Sequence, residues 1–103
     1  ANITGRFYSF RATGWSKVAE WINQGKEVVL HVWTSPLRKD INGNTVWNSG
    51  YGHYVYLVGV NLKEGLVKVA DPMKGIRTFK KGSVEAAMNG ISQPSLLLIQ
   101  KIS

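Results

Sequence analysis

Two apolar segments joined by a short polar segment constrain this chain more than any other feature. Residues 54–60 are almost all β-branched, aromatic or aliphatic, residues 66–70 are mostly so, and the segment 61–65 between them is largely polar and ends in glycine. This pattern predicts a β-hairpin. His53 lies at the entrance of the first strand and Asp71 at the exit of the second, so two ionisable side chains mark the open end of the hairpin.

A turn centred near residue 62 sets the expected register of this hairpin. The cross-strand pairs that it predicts are His53–Asp71, Val55–Val69 and Leu57–Val67. Directly opposed residues share a face of the sheet, with Cβ atoms about 5 Å apart. The sequence therefore predicts a hydrogen bond between the imidazole and the carboxylate, which a one-residue slip in register would remove.

The composition is that of one folded domain. The chain has 103 residues, 44% of them hydrophobic, and a chain of this size buries on the order of 65% of its unfolded surface. We therefore predict a single domain over residues 1–103. No apolar run approaches the roughly 20 residues of a membrane span, so no transmembrane segment is predicted. The first residue is alanine and no signal-like segment follows, which predicts a processed product or an excised part of a longer protein.

The charged and sulfur-containing residues narrow the function. The chain has no cysteine, which excludes disulfides, thiolate metal sites and thiol catalysis within these residues. A net charge of +7 favours an anionic surface or an acidic partner. The positive charges are scattered and no nucleic-acid-binding motif accompanies them, so a generally basic surface is favoured over nucleic-acid binding. Two histidines without ligand spacing predict no metal site, and no cofactor is predicted.

The rest of the chain alternates short helical and extended patterns. Two helices are predicted, one at 17–24 with Ser16 as N-cap and Gly25 as C-cap, and one at 84–88 with Ser83 as N-cap and Gly90 after its end. Besides the hairpin, strands are predicted at 7–10, 27–34, 76–79 and 96–102. The caps follow helix-end preferences, and the strands follow apolar runs of strand length. Together they predict an α+β domain with an antiparallel sheet of about five strands and one or two short helices packed on it.

Several side chains outside the hairpin are candidates for a site. His31 lies inside an apolar strand, where a histidine is more often a core or face residue than a ligand or a base. The Asn42-Gly43 pair favours positive φ at both central positions of a turn and predicts a small hairpin flap. Trp47 and Tyr51 flank the return of this flap, where they either line a cleft or cover the edge of the sheet.

The order of the motifs resembles that of a known family. From residue 52 the chain reads Gly-His-Tyr-Val-x-x-x-Gly-Val, and after a turn it reads Val-x-Val-x-Asp-Pro up to Pro72. A helix ending in glycine and an apolar strand precede these motifs, and a short strand and a serine-capped helix follow them. This order is similar to the C-terminal portion of papain-like cysteine peptidases of the double-glycine-leader peptidase type, over approximately residues 15–100.

The resemblance implies a papain-like half-domain of a bacterial hydrolase that cleaves peptide bonds near small residues. It assigns His53 as the general base and Asp71 as the residue that orients it, and a neutral imidazole held by a carboxylate can indeed take a thiol proton. Trp47, Tyr51 and Gly52 are then expected to contact a peptide substrate or leader peptide. The resemblance also implies that the domain is extracytoplasmic, or is associated with a membrane because it belongs to a larger parent protein.

The nucleophilic cysteine of that family has no counterpart in this chain. In the family it opens a helix in an N-terminal segment, with an oxyanion-hole glutamine a few residues before it. The segment was removed, or a separate chain supplies it, or the protein is a pseudoenzyme. Ser35 and Ser49 are alternative nucleophiles, but neither has a nucleophile-elbow pattern. A non-catalytic module that binds a peptide or an anionic cell-surface partner is the second hypothesis, and nucleic-acid binding, which rests on charge alone, is the third. The alternative for His53 and Asp71 themselves is that they only end their strands and pair for stability.

Overall fold

One open antiparallel sheet and two α-helices make up the fold. The computed structural model describes residues 2–102, with side chains described from residue 4 to residue 99. The elements in chain order are β1 (Asn2–Ser9), α1 (Phe10–Asn23), β2 (Glu27–Trp33), a short 3-10 helix (Ser35–Leu37), β3 (Gly52–Asn61), β4 (Leu66–Asp71), β5 (Gly75–Lys80), α2 (Lys81–Asn89) and β6 (Ser95–Ile102). The strand order is β1-β6-β2-β3-β4-β5. Within this range, neither α-helix combines the length and the apolar character that a membrane crossing needs.

These elements confirm the α+β class and correct the strand count. The predicted strands at 27–34, 76–79 and 96–102 correspond to β2, β5 and β6. The sheet has six strands and not about five. The short strand expected at 7–10 is a longer edge strand, β1, that pairs with β6 along its length, and Phe10 begins the first helix instead of ending this strand.

Both α-helices pack on the same face of the sheet. Val28, Leu30 and Val32, alternate residues of β2, are fully buried on this face. The helix residues in the same core cluster are Phe10, Trp15, Val18, Trp21, Val84, Ala87 and Met88. A hydrogen bond from Trp15 Nε1 to Glu85 Oε1 (2.6 Å) joins α1 to α2 directly. The core therefore lies between this face and the two helices.

The opposite face of the sheet carries an apolar row that crosses every strand. Successive cross-strand pairs place in this row Phe7, Leu97, Val29, Tyr56, Ala70 and Ile76. Phe7 and Ile76, at its two ends, are 66% and 65% exposed. No helix in the described part of the chain covers these residues, so the sheet has one core face and one apolar face that is open to solvent.

The first helix begins earlier than the sequence predicted. Ser9 is the N-cap, and its hydroxyl accepts a hydrogen bond from the Ala12 amide (3.4 Å). Gly14, with φ 77° and ψ 166°, interrupts the helical backbone and divides the element into two segments. The prediction of Ser16 as N-cap was wrong, because the cap lies at Ser9 and the second segment starts after the glycine. The helix ends at Asn23 with Gln24 as the C-cap, so Gly25, predicted as the C-cap, lies one residue beyond it, with φ 76°.

The second helix and the flap also differ in detail from the prediction. Helix α2 begins at Lys81, so Ser83 lies inside its first turn and is not the N-cap, whereas Gly90 is the C-cap. The flap forms a small hairpin, with a bridge between Lys39 and Thr45. Only its glycine has positive φ, because none of the non-glycine residues in the described range does. The expectation of positive φ at both Asn42 and Gly43 was therefore wrong.

Candidate functional site

The β3–β4 hairpin is present, but its register towards the open end differs from the predicted one by two residues. Leu57 pairs with Val69 and not with Val67. On the turn side of the β-bulge between Leu57 and Gly59 the register differs from the predicted one by three residues, and the bulge reduces this difference to two towards the open end. Continued to the open end, this register places Asp71 beside Val55 and diagonal to His53. A two-residue shift keeps every side chain on its original face. The imidazole and the carboxylate therefore still share the core face of the sheet, although they are not directly opposed.

The predicted contact between the imidazole and the carboxylate is present. His53 Nε2 lies 2.5 Å from Asp71 Oδ1. The other carboxylate oxygen, Oδ2, accepts hydrogen bonds from the backbone amides of Met73 (2.9 Å) and Lys74 (3.0 Å). The Asp71 side chain is 2% exposed and the His53 side chain 31% exposed. The carboxylate is thus held from three sides, while the imidazole remains accessible from solvent.

Asp71 is kept ionised by these contacts. Burial alone would raise the pKa of its carboxyl group, but the hydrogen bonds from His53 and from the Met73 and Lys74 amides outweigh burial and lower the pKa below its usual value. An ionised carboxylate accepts hydrogen bonds and donates none. It therefore accepts the proton on Nε2, which leaves the lone pair of a neutral ring on Nδ1.

Two aromatic rings border the imidazole. Trp47 lies with its ring centroid 5.8 Å from that of His53, and Tyr51 lies 5.7 Å from it, both in edge-on geometry. Trp47 is buried and also stacks on Phe79, whereas Tyr51 is 42% exposed. The sequence left open whether these two residues line a cleft or cover the edge of the sheet. Trp47 belongs to the core beneath His53. Tyr51 offers an exposed aromatic edge beside it.

Thr34, a fully buried residue that the sequence did not single out, holds the segment that carries Tyr51. Its hydroxyl donates to the Ser49 carbonyl (2.6 Å) and accepts from the Tyr51 amide (3.1 Å). Its own amide donates to the Tyr51 carbonyl (3.0 Å). Glycine is needed at position 50 of this segment, because a Cβ there would lie only 2.7 Å from Trp33 Nε1. The position of Tyr51 beside the imidazole is therefore set by backbone contacts.

The loop before Trp47 is anchored by a second buried carboxylate. We call residues 38–46 the Asp40 loop. Asp40 Oδ1 accepts from the amides of Asn42 and Asn44 (3.0 Å each), and Oδ2 accepts from Arg77 Nη1 (3.1 Å). Burial of this carboxyl acts to raise its pKa, but the bonds from Asn44, Arg77 and Asn42 hold the pKa of Asp40 below its usual value.

The other candidate residues lie apart from the pair. His31 stacks on Tyr54 on the open face, with centroids 4.4 Å apart, so its ring lies on the opposite side of the sheet from His53. Gly52 is exposed at the start of β3, opposite Trp33. Neither Ser35 nor Ser49 hydrogen bonds to His53 among the contacts of the described residues. Over the same residues, the His, Asp and Glu side chains do not form a group of three that could hold a metal ion.

Acid should weaken the fold through the two buried carboxylates. Because the pKa values of Asp71 and Asp40 are lower in the folded than in the unfolded chain, both groups stabilise the fold above a pH of about 4. That stabilisation is lost as the pH falls through the lower, folded pKa. We expect the free energy of unfolding in urea to fall with pH in this range, and to fall less steeply in Asp71→Asn. A variant with the wild-type slope would contradict this role of Asp71.

No protein-family model and no curated protein sequence matches the chain. The function is therefore inferred from the contacts of the His53–Asp71 pair together with the order of the sequence motifs.

Proposed function

We propose that this chain is the base-bearing portion of a cysteine peptidase, a papain-like half-domain of the double-glycine-leader peptidase type. The observation that carries the proposal is the 2.5 Å contact between His53 Nε2 and Asp71 Oδ1. A partly exposed imidazole oriented by a buried carboxylate is the arrangement that activates a thiol or hydroxyl nucleophile. The Gly-His-Tyr-Val and Asp-Pro motifs around these two residues support the same assignment.

In the proposed reaction His53 acts as base and then as acid. Its Nδ1 takes the proton of a cysteine thiol, and the thiolate attacks the carbonyl carbon of a peptide bond. The imidazolium gives the proton to the leaving amine as the C–N bond breaks, which leaves a thioester. Water, deprotonated by the same nitrogen, then hydrolyses the thioester and the thiol is restored. Asp71 stabilises the imidazolium and keeps the ring in the orientation that presents Nδ1.

The thiol in this reaction belongs to a cysteine outside these residues, because the chain itself has none. A preceding segment of a longer chain or a separate chain would supply it. Tyr51 is the residue best placed to touch the peptide, since its exposed ring borders the imidazole. Gly52 follows it at the rim of the sheet, whereas Trp47 supports the site from the core. The proposed partner is a peptide substrate or leader peptide.

Alkylation of the cysteine tests the proposal. The longest natural form of the protein that contains these residues is purified and its peptide hydrolysis is measured before and after treatment with iodoacetamide. We expect one cysteine to be labelled and hydrolysis to be lost in proportion to labelling, because the thiolate is both the reactive group and the nucleophile. Hydrolysis that persists after complete labelling, or that occurs in a natural form without cysteine, would contradict a thiol mechanism.

A non-catalytic binding module is the second candidate. Two features favour it, namely the absence of cysteine from these residues and the net charge of +7. In that function Tyr51 and the basic surface would hold a peptide or an anionic cell-surface partner, and the His53–Asp71 pair would only stabilise the rim of the sheet. The two candidates differ in what His53 is needed for, and a variant at that position separates them.

A further inference from the structure

A continuous series of hydrogen bonds connects the His53–Asp71 pair to the Asp40 loop. The links beyond the pair are Lys74 N to Asp71 Oδ2 (3.0 Å), Arg77 Nε to Lys74 O (2.8 Å), Arg77 Nη1 to Asp40 Oδ2 (3.1 Å), and the amides of Asn42 and Asn44 to Asp40 Oδ1 (3.0 Å each). The series joins the turn between β4 and β5 to a loop far away in sequence. Both ends of it contact the site, one through Asp71 and the other through the residues that lead to Trp47.

Arg77 is the side chain that bridges the two halves of this series. It lies on β5 opposite Val69, on the face of the sheet that carries Asp71. Its Nε and Nη1 groups donate to two different segments, and the planar guanidinium fixes the angle between these two bonds. A lysine at this position has a single ammonium group on a flexible stem and cannot reproduce both bonds in the same geometry.

We propose that Arg77 is a positioning residue for the His53 imidazole. By holding the Lys74 carbonyl, it fixes the turn whose Met73 and Lys74 amides hold Asp71. By holding Asp40, it fixes the loop that leads to Trp47, whose ring lies in edge-on geometry beside the imidazole. The same guanidinium thus sets the carboxylate on one side of His53 and the aromatic support on the other. The importance of this positioning for catalysis rests on the proposed function. The orientation of the His53 ring can be measured in this chain alone.

The test measures the His53 ring directly by NMR. The imidazole nitrogens are labelled with ¹⁵N, and the tautomer and the exchange of the ring N–H with water are recorded for the wild type and for Arg77→Lys. In the wild type we expect the Nε2–H tautomer and a slowly exchanging proton. In Arg77→Lys we expect the exchange rate to rise by about tenfold, which corresponds to the loss of one hydrogen bond of ordinary strength, and the tautomer signals to broaden.

Matched variants separate positioning from general stability. Arg38→Lys makes the same chemical change at an exposed position of the Asp40 loop and should leave the His53 signals unchanged. Asp40→Asn keeps an oxygen for the Asn42 and Asn44 amides but turns its amide group towards Arg77, so it should change the His53 signals in the same direction as Arg77→Lys, by the part of the effect that passes through the Asp40 loop. The double variant should be no worse than Arg77→Lys alone, because the Asp40 change removes a bond that the lysine variant has already lost. The signals of His31, on the other face of the sheet, serve as an internal reference.

The outcomes are distinct. A folded Arg77→Lys protein with wild-type His53 exchange and tautomer overturns the proposal, even if its melting temperature is lower. If Arg77→Lys does not fold, Asp40→Asn decides in the same way. The measurement requires no cysteine and no substrate. If the alkylation experiment contradicts the peptidase hypothesis, the positioning result is therefore unaffected. If the NMR experiment contradicts the positioning role of Arg77, the peptidase hypothesis is still tested separately by alkylation.

Discussion

Replacing His53 with alanine lowers kcat for peptide hydrolysis by about 10²–10⁴-fold in the cysteine-bearing form that the proposed mechanism requires. The variant removes the group that takes the thiol proton and later delivers it to the leaving amine. Its side chain is partly exposed and lies at the end of the sheet, so the fold should tolerate the truncation. The measurement is kcat and KM for a peptide substrate, with the melting temperature as a check on folding. KM should change little.

His31→Ala is the matched control for this variant. It removes the other imidazole of the chain, which lies on the opposite face of the sheet, and should leave kcat within about twofold of the wild type. The His53→Ala variant also separates the two candidate functions. If it retains the biological activity and the peptide binding of the wild type while remaining folded, the binding module is correct and the base assignment is not.

Replacing Asp71 with alanine should have the largest effect on stability, lowering the free energy of unfolding by about 3 kcal/mol. The carboxylate is buried and accepts hydrogen bonds from His53 Nε2 and from the amides of Met73 and Lys74. Truncation leaves these donors without their acceptor and opens a small cavity. In a domain of this size such a loss lowers the melting temperature by roughly 10 °C or more. Urea unfolding and thermal unfolding measure the change.

Asp71→Asn is the informative comparison. Its oxygen can still accept the imidazole proton, but its amide group then faces the two backbone N–H groups as a further donor. We therefore expect a loss between those of the wild type and the alanine variant. If both variants unfold at the wild-type urea concentration, the three contacts of Asp71 contribute no net stability, and the rim of the sheet must be held by other residues.

The predicted contact forms because the register at the open end of the hairpin differs from the predicted one by an even number of residues. His53 and Asp71 lie in strands with strong apolar character, and a shift of two residues preserves the parity of every position. Between the turn and the bulge at Leu57–Gly59 the register differs by three residues, which would put the two side chains on opposite faces, and the bulge restores the shared face. A glycine inside a strand is consistent with a bulge or with a close approach of the backbone, so the sequence did not specify this bulge. The shared face therefore depends on a bulge that the sequence analysis did not predict.

The residues that hold the site in place were not predictable in the same way. Thr34 and Arg77 act on backbone groups or side chains that are distant in sequence, and neither periodicity nor local propensity contains that information. The Asp71 contacts to the Met73 and Lys74 amides are the exception. An aspartate that opens an Asp-Pro turn tends to accept hydrogen bonds from the amides two and three residues ahead, so these contacts could have been predicted.

The pairing of β1 with β6 determines the order in which the domain can assemble. The strands β3, β4 and β5 follow one another in sequence and pair in the same order, so their loops close at a small entropic cost. Strand β1 pairs with β6, which comes from the other end of the described chain. Contacts between such distant segments form slowly. The meander that carries His53 and Asp71 can therefore become ordered early in folding, and the edge strand β1 closes the sheet afterwards.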